Sequence, residues 1–353
     1  MFSSSKSLES FYKHFTERKL RGEVGTFFSE ETARATEAFQ HPNSPDAADV
    51  LQEMLFLQTQ GYNTAWCSFE ICNIMQQKDY SIKRMAYLGA SQFWDGNPDA
   101  VVMATSCIMH DIHSTDTMTK SLVMSVLPML LNSELTRSIV RDIVNAFDHT
   151  SPEVTNRAIV TFYHACVMFP DALRVGFAHL NIKEKLEQGD FGTQLAVLSL
   201  VQELCNHTPS NFKAFIPLFF RILTDSTGDP ILKIKALAII SKVALGLNEE
   251  TRQKLVIKMK GPIYEILSSS SVAQSVALEA LRFICSLHVQ DGALLNLAAK
   301  KADEFITSND ANLHFLGLTT MTALMSINAG IIKTHGAIIV GCLESSDPAS
   351  VML

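Results

Sequence analysis

The chain has 353 residues, of which 47% are hydrophobic, with 36 acidic against 29 basic side chains and a formal charge of −7. This composition supplies a large core, rules out a largely disordered chain, and offers no overall positive field for nucleic acid. Seven scattered cysteines, none in a Cys-x-x-Cys unit, suit a reducing cytosol better than a disulfide framework.

The N-terminus, MFSSSKSLESFYKHF, contains no apolar signal core. Leu8 to Met75 is the less regular part of the chain, and the PNSPDA turn, Pro42 to Ala47, separates one helix from the next. Lys13, Arg18, Lys19 and Arg21 form a basic cluster, the strongest polar feature of the sequence, offset by Glu17 and Glu23. By residue type alone it reads as a solvated helix face.

Gly61 to Phe93 predicts two amphipathic helices joined by a polar turn. Trp66, Phe69, Ile71, Ile74 and Met75 share one face of the first. Lys78 and Asp79 interrupt, and the second presents Ile82, Met85, Ala86, Leu88, Gly89 and Phe93, with Lys83 and Arg84 on its polar side. Such a pair needs similar pairs stacked on each side. The longest apolar run, Leu122 to Leu131, is broken by Pro128 and reaches about half the roughly 20 residues of a membrane span.

From Ser151 onward, segments beginning SPEVTNRAIVTF, GDFGTQLAVLSL, GDPILKIKALAI, SSVAQSVALEAL, NDANLHFLGLTT and SDPASVML recur at roughly 40 residues, the period of HEAT and armadillo units. Each opens with a polar turn. Ser151 with Pro152, Asp229 with Pro230 and Asp347 with Pro348 predict a helix cap followed by proline at the first helical position. Val154, Ala158, Phe162, Ala165 and Phe169 form one stripe. The fold expected is all-α: a right-handed α-solenoid of HEAT/armadillo-like helix pairs. It is read as a single trunk over 1–353, with irregular helices over 1–60 and stacked repeats over 61–353. Trp66, Phe69, Tyr87, Leu88, Phe162, Phe219 and Phe220 are its expected core aromatics and aliphatics, and the 14 methionines are read as core filler.

Cys107, His110 and His113 have C-x-x-H-x-x-H spacing, but a zinc site wants a fourth ligand and a supporting shell, so no metal is expected. The sequence has no Ser-His-Asp order, nucleophile elbow, phosphate loop or HExxH, so neither catalysis nor a cofactor is expected. A stand-alone armadillo-type peptide binder would need asparagine and tryptophan ladders, and only Trp66 and Trp94 are present.

Several segments resemble the trunk of the large adaptins of vesicle-coat adaptor complexes, most of all the delta branch, from adaptor protein complex three. A glycine–tyrosine pair opens a helix at Gly61, and Lys83, Arg84, Tyr87, Leu88 and Ser91 match K-R-x-x-Y-L-x-x-S. Thr105 to Ile112 is similar to T-N-x-I-x-x-D-[LI], with Ser106 where the family has asparagine. His149 to Arg174, Lys183 to Asp190 and Asn211 to Ile239 follow the family's later segments in order. Two departures stand out. Ala47, Ala48 and Asp49 replace the lysine cluster by which alpha-adaptin holds phosphoinositide, and Thr155 and Asn156 replace basic residues of the delta branch, leaving Arg157.

The resemblance implies a scaffold subunit for cargo sorting between Golgi, endosome and lysosome or vacuole. It would be cytoplasmic and peripheral on those membranes. Its implied partners are sigma, mu and beta adaptor subunits, an Arf-type small GTPase and dileucine cargo signals, with Arg18 receiving the signal's acidic side. Gamma- or epsilon-adaptin and the coatomer gamma chain are the alternative large coat subunits. Adaptin large subunits continue for several more repeats, and the repeat opened by SDPASVML stops after about one turn. The chain is therefore expected to be truncated at its C-terminus, leaving Ala323, Leu324, Ile327 and Ile338 short of a neighbour.

Overall fold

The structure, a computed structural model, describes residues 3–41, 45–94 and 98–342. Among these the chain is α-helical, with short 3-10 turns and no strand. It divides into two compact units after Asn181.

The first unit contains α1 (Ser3–Leu20), α2 (Val24–Phe39), α3 (Pro45–Thr59), α4 (Ser68–Met75), α5 (Tyr80–Phe93), α6 (Pro98–Ile112), α7 (Thr117–Leu130), α8 (Ser133–Asn145), α9 (Pro152–Met168) and α10 (Ala172–Gly176). Helices α3, α5, α7 and α9 lie side by side in one layer, and α4, α6, α8 and α10 in the other. Each helix from α4 to α9 also packs against a sequence neighbour in the opposite layer, so every pair covers the apolar face the next pair leaves open. Helices α1 and α2 close the end of this stack on α3, through Phe11 and Phe15 against Phe27 and Phe56.

The polar turns start helices as expected, though not always with the expected residue. Asp79, Asp116 and Asn132 accept N–H groups of the first turns of α5, α7 and α8. Ser151 precedes Pro152 at the start of α9 without a side-chain cap bond; its own N–H donates to His149 Nδ1 at 3.0 Å. Gly61 closes a helix rather than opening one. At φ +89 it donates to Gln58 O at 2.9 Å while Tyr62 N–H reaches Leu57 O at 3.1 Å, the left-handed termination of α3.

The second unit contains α11 (Ile182–Gln188), α12 (Phe191–Leu204), α13 (Ile216–Thr224), α14 (Pro230–Leu245), α15 (Glu249–Ser268), α16 (Gln274–Ser286), α17 (Gly292–Ile306), α18 (Ala311–Ile327) and α19 (Ile331–Cys342). The repeat openings found in the sequence are the starts of α12, α14, α16 and α18, which neighbour one another in turn. Helix α13 packs on α14, α15 on α16 and α17, and α17 on α18 and α19. Asp190, Asp229, Asn248, Asp291 and Asp310 cap their helices, Asp229 through Ile231 N–H at 2.8 Å. At Gly317 a Cβ would lie 2.8 Å from the backbone nitrogen of Ile306, so α17 and α18 touch backbone to backbone. The anticipated cap at Asp347 and Pro348 and the side chains of Leu343 and Met352 lie outside the described residues. Leu324 is buried, while Ala323, Ile327 and Ile338 are half-buried.

Tyr87, Phe162 and Phe219 are fully buried, as expected. Trp66, Phe69 and Leu88 are instead exposed, and Phe220 is half-buried. Of the two faces read from the sequence, Ile71, Ile74, Met75, Ala86, Gly89 and Phe93 are buried as expected, together with Cys67, Ser68, Cys72 and Ala90. Trp66 is left to pack its ring against Phe39, 6.1 Å between centroids. Methionines divide similarly: Met54, Met75, Met124, Met259 and Met321 fill the core, whereas Met103, Met118, Met129 and Met168 are exposed.

Candidate functional site

The basic cluster sits on the second half of α1 and the turn after it. The turn is fixed by Gly22, at φ +73, whose N–H reaches Lys19 O at 3.2 Å while Glu23 N–H reaches Arg18 O at 3.0 Å. This geometry brings α2 back beside α1, so the four cations have different surroundings. Lys13 pairs with Glu9 one turn earlier at 2.6 Å. Arg18 spans the turn, donating to Glu23 at 2.9 Å and Glu30 at 3.3 Å, and keeps a quarter of its side chain exposed. Lys19 lies over the Phe15 ring, 5.7 Å from its centroid. Arg21 is exposed and makes no ion pair among the described residues. The cluster is therefore no single cationic focus; Arg18 alone is oriented by two carboxylates at once.

A second charged constellation escaped the sequence reading. Lys83, assigned to the polar side of α5, is buried. Its Nζ donates to both carboxylate oxygens of Asp111 on α6, at 2.7 and 2.6 Å, and Tyr87 Oη donates to the same carboxylate at 2.9 Å. Asp111 is itself buried, with Cys107 Sγ 3.9 Å away. Burial, then the neighbouring Asp111 charge, pushes the Tyr87 phenol well above its ordinary value. The same causes in the same order push the Cys107 thiol to about 11. Lys83 and Tyr87 lie one helical turn apart on α5, and Asp111 meets them from 28 positions beyond the lysine. These three residues come from two of the segments that carried the family resemblance. The pair borders a polar pocket of ≈ 590 Å³ whose lining includes Lys78, His110 and Asp116.

A related pair joins α2 to α3. Arg34 bonds Glu31 at 2.7 Å and also the buried Glu53. Burial raises the Glu53 carboxyl above its usual range despite the guanidinium, which acts the other way.

Cys107, His110 and His113 do not converge. Cys107 faces Asp111, the His110 ring is largely exposed with Nδ1 3.2 Å from Asp111, and His113 spans Met109 O and Asp142 at 2.8 and 3.0 Å. Among the described residues no group of three or more His, Cys, Asp or Glu is placed to hold a metal, and no helix is long and apolar enough to cross a membrane. Burial pushes the thiols of Cys67, Cys166 and Cys205 to about 12, and those of Cys72 and Cys285 to about 11.

A family model described as the adaptin N terminal region matches residues 26–353. The AP-3 complex subunit delta-1 of Bos taurus is 27% identical over 307 residues, covering 85% of this chain and 25% of its own. The AP-3 complex subunit delta of Dictyostelium discoideum is 28% identical over 299 residues, covering 84% and 25%. The chain thus spans about a quarter of the length of these two relatives. The fold is similar to that of a chain in a homology model of the full-length AP-3 complex in an intermediate open conformation, with TM-score 0.67 and 24% identity over 86% of this chain and 52% of that one.

Proposed function

Since the chain belongs to the family of adaptin N-terminal regions, we propose that it is a scaffold subunit of a vesicle-coat adaptor complex, sorting transmembrane cargo between Golgi, endosome and lysosome or vacuole. The observation that carries this reading is the family match over 26–353, combined with relatives named as delta subunits of the AP-3 complex. The two units are read as consecutive parts of one trunk. In this reading the chain acts by presenting stacked helical faces to sigma, mu and beta subunits and to an Arf-type GTPase, without catalysis or cofactor. It works in the cytoplasm, peripheral to the membrane. The net charge of −7 speaks against nucleic acid as a partner.

Co-expression tests the assignment. The chain should co-purify with the sigma subunit of adaptor complex three in preference to that of complex one. Equal recovery of both, or of neither, removes the delta-type reading.

Within that reading Arg18 receives the acidic residue of a dileucine signal, with Lys13, Lys19 and Arg21 supplying the surrounding positive charge. A guanidinium suits this role because its forked donors reach both carboxylate oxygens. Glu23 and Glu30 already occupy those donors, so an incoming carboxylate competes with them. Arg18→Glu should abolish binding of an acidic dileucine peptide to the assembled complex, and Glu30→Gln should strengthen it. Unchanged affinity in both variants removes Arg18 from the site.

A further inference from the structure

The second unit carries an open groove of ≈ 870 Å³ where α11 ends, α12 begins and α13 turns into α14. Its floor is apolar: Leu186 and Leu232 are buried and Ile222 is half-buried. Phe191, the first residue of α12, stands in its wall with 46% of its surface exposed. The rim carries three carboxylates, Glu187, Asp225 and Asp229, against two cations: Arg221, whose guanidinium is already on Glu187 at 2.8 Å, and Lys233, whose charge acts on Asp225 and whose stem lies beside Gly228.

Two of these carboxylates are held in place by the chain. Asp225 accepts the Thr227 N–H at 2.9 Å and its hydroxyl at 2.8 Å, and these bonds keep its carboxyl below the usual range. Asp229 caps α14. The net negative rim is thus ordered before anything binds, and the apolar surface it leaves open to water is chiefly the Phe191 ring.

We infer that this groove is a docking site for a cationic amphipathic segment of a partner protein. One apolar side chain of the segment seats against Phe191 and over the floor, and flanking lysines or arginines meet Glu187, Asp225 and Asp229. Charge selects this occupant. An anionic lipid surface or a nucleic acid would be repelled by the rim, and a second copy would bring an equally acidic rim against it. The inference concerns residues of the second unit, not the Arg18 cluster of the first, and does not depend on the chain's membership of a coat.

The test uses the purified chain and a labelled synthetic peptide, Lys-Lys-Leu-Phe-Lys-Lys, with its Glu-for-Lys counterpart as control. The cationic peptide should bind, weaken with added salt, and slow hydrogen exchange across 186–194 and 221–232; the acidic one should do neither. The triple variant E187Q/D225N/D229N removes the charges while leaving asparagine as the cap of α14. It should lower affinity about tenfold, as expected for the loss of three exposed ion pairs. Phe191→Ser should also lower it about tenfold through the lost apolar contact. Circular dichroism checks that both variants fold. Unchanged binding in the triple variant, or protection outside the groove, overturns the proposal, and unchanged binding in Phe191→Ser reduces it to unspecific charge attraction. Self-association of the parent chain that both variants abolish assigns the groove to a second copy instead.

Discussion

The two units build the same kind of helix-pair stack but fix the register of their helices differently. In the first, polar contacts with direction cross between helices: Lys83 and Tyr87 reach Asp111, and Arg34 reaches Glu53. In the second, the ion pairs between helices keep more contact with water, as Lys260 with Asp291 and His335 with Asp303 do, and small side chains close the α17–α18 seam. Gly317 leaves room for the Ile306 backbone, and Ala298, Ala299 and Ala302 are buried along α17. A slip of one turn in the first unit strands a charge in the core. A slip at the α17–α18 seam loses packing and the His314 bond to the Ile306 carbonyl, but strands no ion pair in the core. Directional pairs therefore specify alignment at some cost in stability, whereas small-residue seams gain contact and tolerate error less sharply.

The largest test of this contrast is Asp111→Ala. Removing the carboxylate leaves Lys83 buried without a partner, and the first unit should lose about 3–5 kcal/mol. Urea denaturation read with hydrogen exchange on α5 and α6 measures it. Adding Lys83→Met should recover most of the loss, because an apolar pair of similar volume needs no charge compensation. If the double variant is as weak as the single one, the pair is held by more than its own charges.

In the second unit, Gly317→Ala should cost about 1–3 kcal/mol, since the new methyl meets backbone that cannot rotate away. Here a compensating change should be harder to find: Ile306→Ala removes the Cγ1 contact at the site but leaves the backbone nitrogen at 2.8 Å. Full rescue in thermal unfolding would show that the seam is softer than the geometry implies.

A smaller effect, of opposite sign, is expected at His288. This residue ends α16 in the left-handed region, at φ +48, with its N–H on Cys285 O and Val289 N–H on Ile284 O, the position at which α3 uses Gly61. His288→Gly should stabilise the second unit by about 1 kcal/mol. No gain in the urea midpoint would mean that the imidazole makes up for the backbone cost.

The smallest effect concerns pH. The folded-state carboxyl of Glu53 is raised above its unfolded value, so the folded chain binds that proton more tightly. The stability contribution is fully present below the unfolded value and is lost as pH rises through the folded one. Relative to Glu53→Gln, the parent chain should therefore gain stability as pH falls from neutrality through that window. A difference that is flat with pH, or that runs the other way, would mean that Arg34 outweighs burial at this site.

The repeated turns and their spacing made the helix-pair stack legible in the sequence, and Asp229 with Pro230 marks the start of α14 as read. Which side of each helix faces inward was less legible. On α4 and α5 apolar side chains occur all round, so a 3.6-residue period admits more than one solution. Ile71, Ile74, Met75 and Phe93 lie inside as read, but Cys72 and Ala90 join them while Phe69 and Leu88 face outward. Lys83 was unreadable from α5 alone because its partner belongs to the next helix; lysine and tyrosine one turn apart, followed by an isolated aspartate on an apolar helix, is the signal that finds it. The basic cluster on α1 was visible as composition, but its division into a doubly held Arg18 and separately placed lysines depends on the turn at Gly22.

The burial of the thiols has a practical consequence. The six described cysteines are buried or half-buried and stay protonated at neutral pH, so alkylating reagents should reach them only when the helices around them part. Residue-resolved labelling under native conditions then becomes a clock for breathing in each unit, with Cys72 and Cys107 timing the openings around α4 and α6, and Cys205 and Cys285 those around α12 and α16. A fluorophore attached to a cysteine engineered at an exposed site would go on before it reached any of these six thiols.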